Sequence, residues 1–102
     1  MKLYHATPID NKDNVIRCGL QSGFSTKFKH LLSGSGVYGF TQLEDALGFA
    51  KDQCWSHGVV VFSFDAVSPL LDPEYDDPDY GVAYFFPTDE SVNVVLECEI
   101  EY

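Results

Sequence analysis

Gly58-Val59-Val60-Val61-Phe62-Ser63-Phe64-Asp65 is the stretch on which the fold turns. Its β-branched and aromatic run, bounded by a glycine and an aspartate, predicts the strongest strand in the chain. Just upstream, Thr41 followed by Glu44 matches a capping box. Leu43, Ala46, Leu47 and Ala50 then recur at helical spacing, which predicts a helix ending between Cys54 and Gly58. Further back, positions 37–41 and 2–6 read as strands. Positions 10–18 read as a short helix, with Asp10 as its cap and Gly19 as its stop. Positions 21–36 are rich in serine and glycine and predict a loop, with a short helix around 27–32. Downstream, Pro69, Pro73 and Pro78 mark a loop, 81–86 a strand, and 91–102 a strand of strict alternation. In that last strand Val92, Val94, Leu96, Cys98, Ile100 and Tyr102 are expected on one face and Glu97, Glu99 and Glu101 on the other. The whole is an α+β fold, a single domain over 1–102. It has a small mixed or antiparallel sheet of about five strands and two or three short helices.

With 102 residues, 45% of them hydrophobic and 22% charged, the chain has enough apolar side chains for one core and no more. No apolar run reaches the length of a membrane span, and the first ten residues lack the apolar core of a secretory leader, so a cytoplasmic location is expected. Cys18, Cys54 and Cys98 are widely spaced and form no Cys-x-x-Cys pair, which predicts buried thiols with neither a disulfide nor a metal. Charge is unevenly divided. Positions 1–52 hold all six basic residues and five acids, for +1, whereas 53–102 hold eleven acids and no lysine or arginine, for −11. A surface of that sign repels phosphate backbones and disfavours direct nucleic-acid binding, but it suits a basic protein surface.

Three short stretches carry the chemistry. Leu3-Tyr4-His5-Ala6-Thr7 places a histidine and two small residues on the first strand. Gly34-Ser35-Gly36-Val37-Tyr38-Gly39-Phe40-Thr41 runs a glycine-rich turn into a strand with a central tyrosine, and Phe49 follows eleven residues after Tyr38. Thr88-Asp89-Glu90-Ser91-Val92 sets acids just before a late β run. In this order they resemble the His–Tyr–Glu branch of the ADP-ribosyltransferases, which includes diphtheria-type toxins and poly(ADP-ribose) polymerases. The likeness spans 2–65 and, more loosely, 81–100. Alanine at position 6 stands where the family has glycine. The related RNA 2′-phosphotransferases use a late arginine, and 53–102 contain none.

The resemblance implies that NAD is the substrate and a macromolecule the acceptor. It further implies that His5 bonds the ribose beside nicotinamide, and that Thr7 or nearby backbone holds the amide. Tyr38 and Phe49 would sandwich the nicotinamide ring, and Glu90 would orient the ribose and stabilise the charge that develops as nicotinamide leaves. Glu90, His5 and Tyr38 are thus the candidate catalytic residues, with Asp89 or Glu97 as alternative carboxylates. The chemistry suits these residue types. A fixed carboxylate beside an oxocarbenium-like centre is worth about 10²–10³ in rate, and an aromatic face attracts a cationic ring by about 1–2 kcal/mol. Gly34 and Gly36 would let backbone approach a ligand or take up positive φ.

The acids support a second reading. Asp72, Glu74, Asp76, Asp77 and Asp79 recur at near-alternate positions but lack the glycine and twelfth-position glutamate of a calcium loop, so no metal is expected. Together with Glu97, Glu99 and Glu101 they could form a partner-binding surface that imitates nucleic acid. The chain would then be a non-catalytic inhibitor of a basic nucleic-acid-binding protein. In size and charge it is similar to phage-encoded blockers of nucleases and of restriction and CRISPR complexes.

Overall fold

The computed structural model of the chain describes residues 1–20, 36–71, 82–88 and 91–102. In chain order these form β1 (Lys2–Pro8), a turn of 3₁₀ helix (Ile9–Asn11), α1 (Lys12–Cys18), β2 (Gly36–Phe40) and α2 (Leu43–Asp52). β3 (Gly58–Asp65), β4 (Leu70–Leu71), β5 (Ala83–Pro87) and β6 (Val95–Glu101) follow. The described strands make one sheet in the order β4-β5-β2-β1-β3-β6, with every pairing antiparallel. The α+β class and the antiparallel sheet agree with the sequence, with the two-residue β4 as an unforeseen addition.

β3 lies where its composition demands, between β1 and β6, with Gly58 through Phe64 all buried. Its odd and even side chains fill different cores. Val60, Phe62 and Phe64 join Leu3, Val37, Val15, Leu20 and Val92 on the α1 face. Val59 and Val61 join Ala6, Phe40, Ala83, Ala46 and Ala50 on the α2 face. Ala46 and Ala50, one helical turn apart and almost fully buried, form the middle of the α2 contact with the sheet, and Leu43, Leu47 and Phe49 pack around them. After α1 the chain turns at Gly19 (φ +78°), where a side chain would strike the Val92 carbonyl. Leu20 then pairs with Val92.

Several local expectations are displaced. Gln42, and not Thr41, occupies the N-cap position of α2, without a side-chain cap bond; the Thr41 N–H donates to the Val82 carbonyl at 3.3 Å and extends the β2–β5 ladder. Asp10 caps no helix. Its carboxylate bonds His57 Nδ1 at 3.0 and 3.1 Å, and Asn11 precedes α1. Cys18 and Cys54 are exposed and Cys98 half-buried, all three as free thiols, so the expectation of buried cysteines fails. The late strand begins at Val95 and not at Ser91. The expected helix around 27–32 lies outside the described residues.

The glutamate row is also broken. A β-bulge between Val61 and Phe62 sets Val61 against Cys98 but Phe62 against Leu96, and Glu97 is the extra residue. Ser63 Oγ donates to Glu97 Oε1 at 2.6 Å, and Lys2 Nζ lies 3.1 Å from the same oxygen. Glu99 pairs with Val60 in register and meets Lys12 at 2.6 Å. Ser63 and Val60 are three apart on β3 and face opposite sides, so Glu97 and Glu99 do too. The Ser63 and Lys2 contacts hold the Glu97 carboxyl below its usual range.

Candidate functional site

β1 stays in register with β3 along all seven of its residues, but with β2 only at Tyr4 and Phe40. Beyond that pair β1 and β2 have no further register pair, and the histidine of the first motif stands one residue past it. His5 Nδ1 lies 2.7 Å from the Tyr38 carbonyl oxygen. A carbonyl only accepts, so Nδ1 carries the proton and donates. In the neutral ring Nε2 is then an acceptor with its lone pair available to a hydroxyl or amide donor. Burial lowers the pKa of His5, while the bond to the Tyr38 carbonyl pulls the other way.

Period-two alternation fixes where the side chains go. His5 follows Leu3 and pairs with Phe62, so it belongs to the α1 face. Tyr38 precedes Phe40 by two and belongs to the α2 face. The contact between the two motifs is thus ring to backbone across the strand gap, and not ring to ring. On its own face Tyr38 is buried, with its ring tilted against Phe85 at 5.1 Å between centroids. Phe49, on α2, packs on Phe40 at 5.6 Å. The two aromatics of the expected sandwich therefore share a face and line up along β2, two residues of strand apart.

Thr7 is buried, and its Oγ1 accepts a hydrogen bond from Asn11 Nδ2 at 3.1 Å. Gly36 is also buried, and a Cβ there would collide with the Phe85 ring and the Phe86 carbonyl. That glycine is required by the cover over Tyr38, and its φ is not among the positive ones. Asn11 and Phe85, which hold Thr7 and Tyr38, are absent from the motifs. Asn11 stands four residues after Thr7, a spacing that the sequence does display. Glu90, Asp89, Gly34 and the acids at 72–79 lie outside the described residues. Of the six basic residues, Lys2 is paired with Glu97 and Lys12 with Glu99, which leaves Arg17 and Lys51 among the described residues, and Lys27 and Lys29 lie outside them.

The half-buried histidine has a pH signature. Its folded pKa lies below the ordinary 6.5, so at intermediate pH the unfolded chain binds the extra proton. The stability that neutral His5 contributes is complete above about pH 6.5 and drains away as pH falls toward the folded value. Between about pH 7.5 and about pH 5.5 the melting temperature of the wild type is expected to fall more than that of His5→Asn, which keeps a donor near the Nδ1 position without titrating. Parallel curves for the two proteins would contradict this assignment.

A polar groove of about 360 Å³ lies elsewhere, where α1 faces the end of β6. Its walls include Lys12, Asp13, His57, Glu99, Glu101 and Tyr102. No group of three or more histidine, cysteine or carboxylate side chains suited to a metal occurs among the described residues, and no helix among them is long and apolar enough to cross a membrane. No protein family, no curated protein and no solved structure matches this chain.

Proposed function

We propose that the chain is a minimal ADP-ribosyltransferase-like domain that binds NAD at the junction of β1 and β2 and transfers ADP-ribose to a macromolecular acceptor. The observation that carries this reading is the 2.7 Å bond from His5 to the Tyr38 carbonyl. It joins two motifs 33 residues apart and presents Nε2 as an acceptor at a point where the ladder has opened. In this reading Nε2 accepts a ribose hydroxyl and backbone near Ala6 and Thr7 holds the carboxamide on the α1 face, while Tyr38 and Phe49, on the α2 face with Phe85 against Tyr38, do not sandwich the pyridinium ring. The bond between ribose C1′ and the ring nitrogen breaks, and its electron pair neutralises the pyridinium. A nucleophile of the acceptor then attacks C1′ and loses its proton.

NAD titration followed by melting temperature tests the binding step. At a hundred times the dissociation constant, a ligand specific to the folded state adds about 2.7 kcal/mol and raises the melting temperature by several degrees. Nicotinamide alone is expected to give a smaller rise. No shift with NAD up to millimolar concentration would sink the reading.

The competing inhibitor reading draws on the −11 charge of positions 53–102. It is weakened at β6, where Glu97 and Glu99 are each paired with a lysine and face opposite ways.

A further inference from the structure

The 3₁₀ turn and α1 lie against the face of the sheet that carries His5 and Thr7, and little holds them there. α1 has seven residues and buries one side chain, Val15. Val15 packs in the cluster with Leu3, two residues before His5, and Phe62, opposite His5. Ile16 and Cys18 are exposed. A helix of two turns is not stable by itself in water, so α1 keeps its place through what ties it down. Among the described residues, the side-chain ties come from its first residue and the two before it. Asn11 Nδ2 donates to Thr7 Oγ1 at 3.1 Å, His57 Nδ1 donates to the Asp10 carboxylate at 3.0 and 3.1 Å, and Lys12 Nζ meets Glu99 at 2.6 Å. The Asp10–His57 contact is exposed and the Lys12–Glu99 pair partly so, and pairs in water contribute little each.

Both ends of this segment are better anchored than its middle. Pro8 pairs with Val59 in the β1–β3 register, and buried Leu20 exchanges two backbone hydrogen bonds with Val92, at 2.9 and 2.8 Å. Between α1 and that bridge stands Gly19 at φ +78°, a conformation that suits a pivot. We propose that residues 9–19 form a latch that opens as one unit about Gly19 while the sheet stays folded, and that opening uncovers Thr7. Closed, Asn11 occupies the Thr7 hydroxyl, and a ligand at that point competes with the segment. The apparent affinity of such a site is the intrinsic one reduced by the fraction of molecules that are open. The motion stands on the contacts above; its effect on NAD rests on the reading of the β1–β2 junction as the NAD site.

Amide hydrogen exchange on the wild type, Lys12→Gln and Asp10→Ala, each with and without NAD, is the test. The Gly19 N–H, bonded to the Val15 carbonyl at 2.7 Å inside the segment, is expected to exchange faster than the amides of β3. Each substitution is expected to speed Gly19 by about threefold, with Leu20, β3 and the melting temperature unchanged. NAD is expected to speed Gly19 as well, and to bind each variant more tightly by the factor by which that variant speeds Gly19, because both measure the open fraction. Gly19 exchange as slow as that of β3 would mean that the segment opens only when the whole domain unfolds, and would overturn the latch. An acceleration shared by Leu20 and β3 would overturn it too. Faster Gly19 exchange with no matching gain in NAD affinity would overturn its control of the site. If NAD shifts the melting temperature of none of the three proteins, the NAD reading falls, and exchange at Gly19 without NAD still decides the latch.

Discussion

Phe62→Ala is expected to destabilise the domain by about 3–5 kcal/mol, the range for deleting a buried phenylalanine ring. Against a total stability of about 5–15 kcal/mol for a domain, such a loss leaves a protein near or past its unfolding threshold at physiological temperature. Phe62 has no exposed surface. It sits on β3, opposite His5 on β1 and opposite Leu96 on β6, at the bulge where the β3–β6 register shifts. Removing the ring hollows the α1-face core among Leu3, Val60 and Phe64, where backbone on both flanks limits collapse into the space. Phe62→Leu keeps most of the volume and is expected to cost less than about 1.5 kcal/mol. Urea unfolding of the three proteins checks this. Equal stability of the alanine and leucine variants would mean that the site relaxes and that Phe62 is not the keystone of that face.

The same residue shows what the sequence made legible. Gly58 through Asp65 needed no alternation to be read as a strand, because burial on both faces turns a strand into a continuous apolar run, and the observed bounds coincide with the expected ones. Elements fixed by their own composition were readable in this way. Where a distant partner competes for a local group, the sequence misleads. Thr41 has good capping chemistry, but its N–H is claimed by Val82, forty-one positions away, so the helix starts one residue later. Asp10 could cap α1 but meets His57, forty-seven positions away. The alternation in 91–102 predicts one row of glutamates. A bulge that depends on the neighbouring strand divides the row, and no single-strand pattern contains that information.

The candidate site divides along the same line. Motif order predicts that the His5 imidazole and the Tyr38 phenol line one pocket. That they meet through a ring nitrogen and a backbone carbonyl, with the side chains on different faces, follows from strand parity once the single register pair Tyr4–Phe40 is known. The glycine-rich segment predicts room for a ligand at Gly36, and the space is instead taken by Phe85. A ligand-shaped space and an intramolecular close approach ask for the same residue, so sequence alone does not separate them.

The choice of carboxylate can be separated by experiment. Glu90→Gln is expected to lower NAD-dependent nicotinamide release by about 10²–10³ while leaving the NAD-induced melting shift nearly intact, because a charge that acts on the departing nicotinamide is felt in the transition state more than in the ground state. Glu97→Gln offers the contrast. Its carboxylate is bound to the Ser63 hydroxyl and the Lys2 ammonium on β6, and the β1–β2 junction lies across β1 and β3 from that strand. The rate of Glu97→Gln is therefore expected to stay near wild type, and any change to appear in stability. If Glu97→Gln abolishes release and Glu90→Gln does not, the catalytic centre lies beside β6, and His5 is a structural bridge between two strands. If neither variant differs from a wild type that releases no nicotinamide, the scaffold has no transferase chemistry. The bond between His5 and Tyr38 then serves to close a gap in the sheet, and the acidic surface becomes the part of the molecule through which it acts.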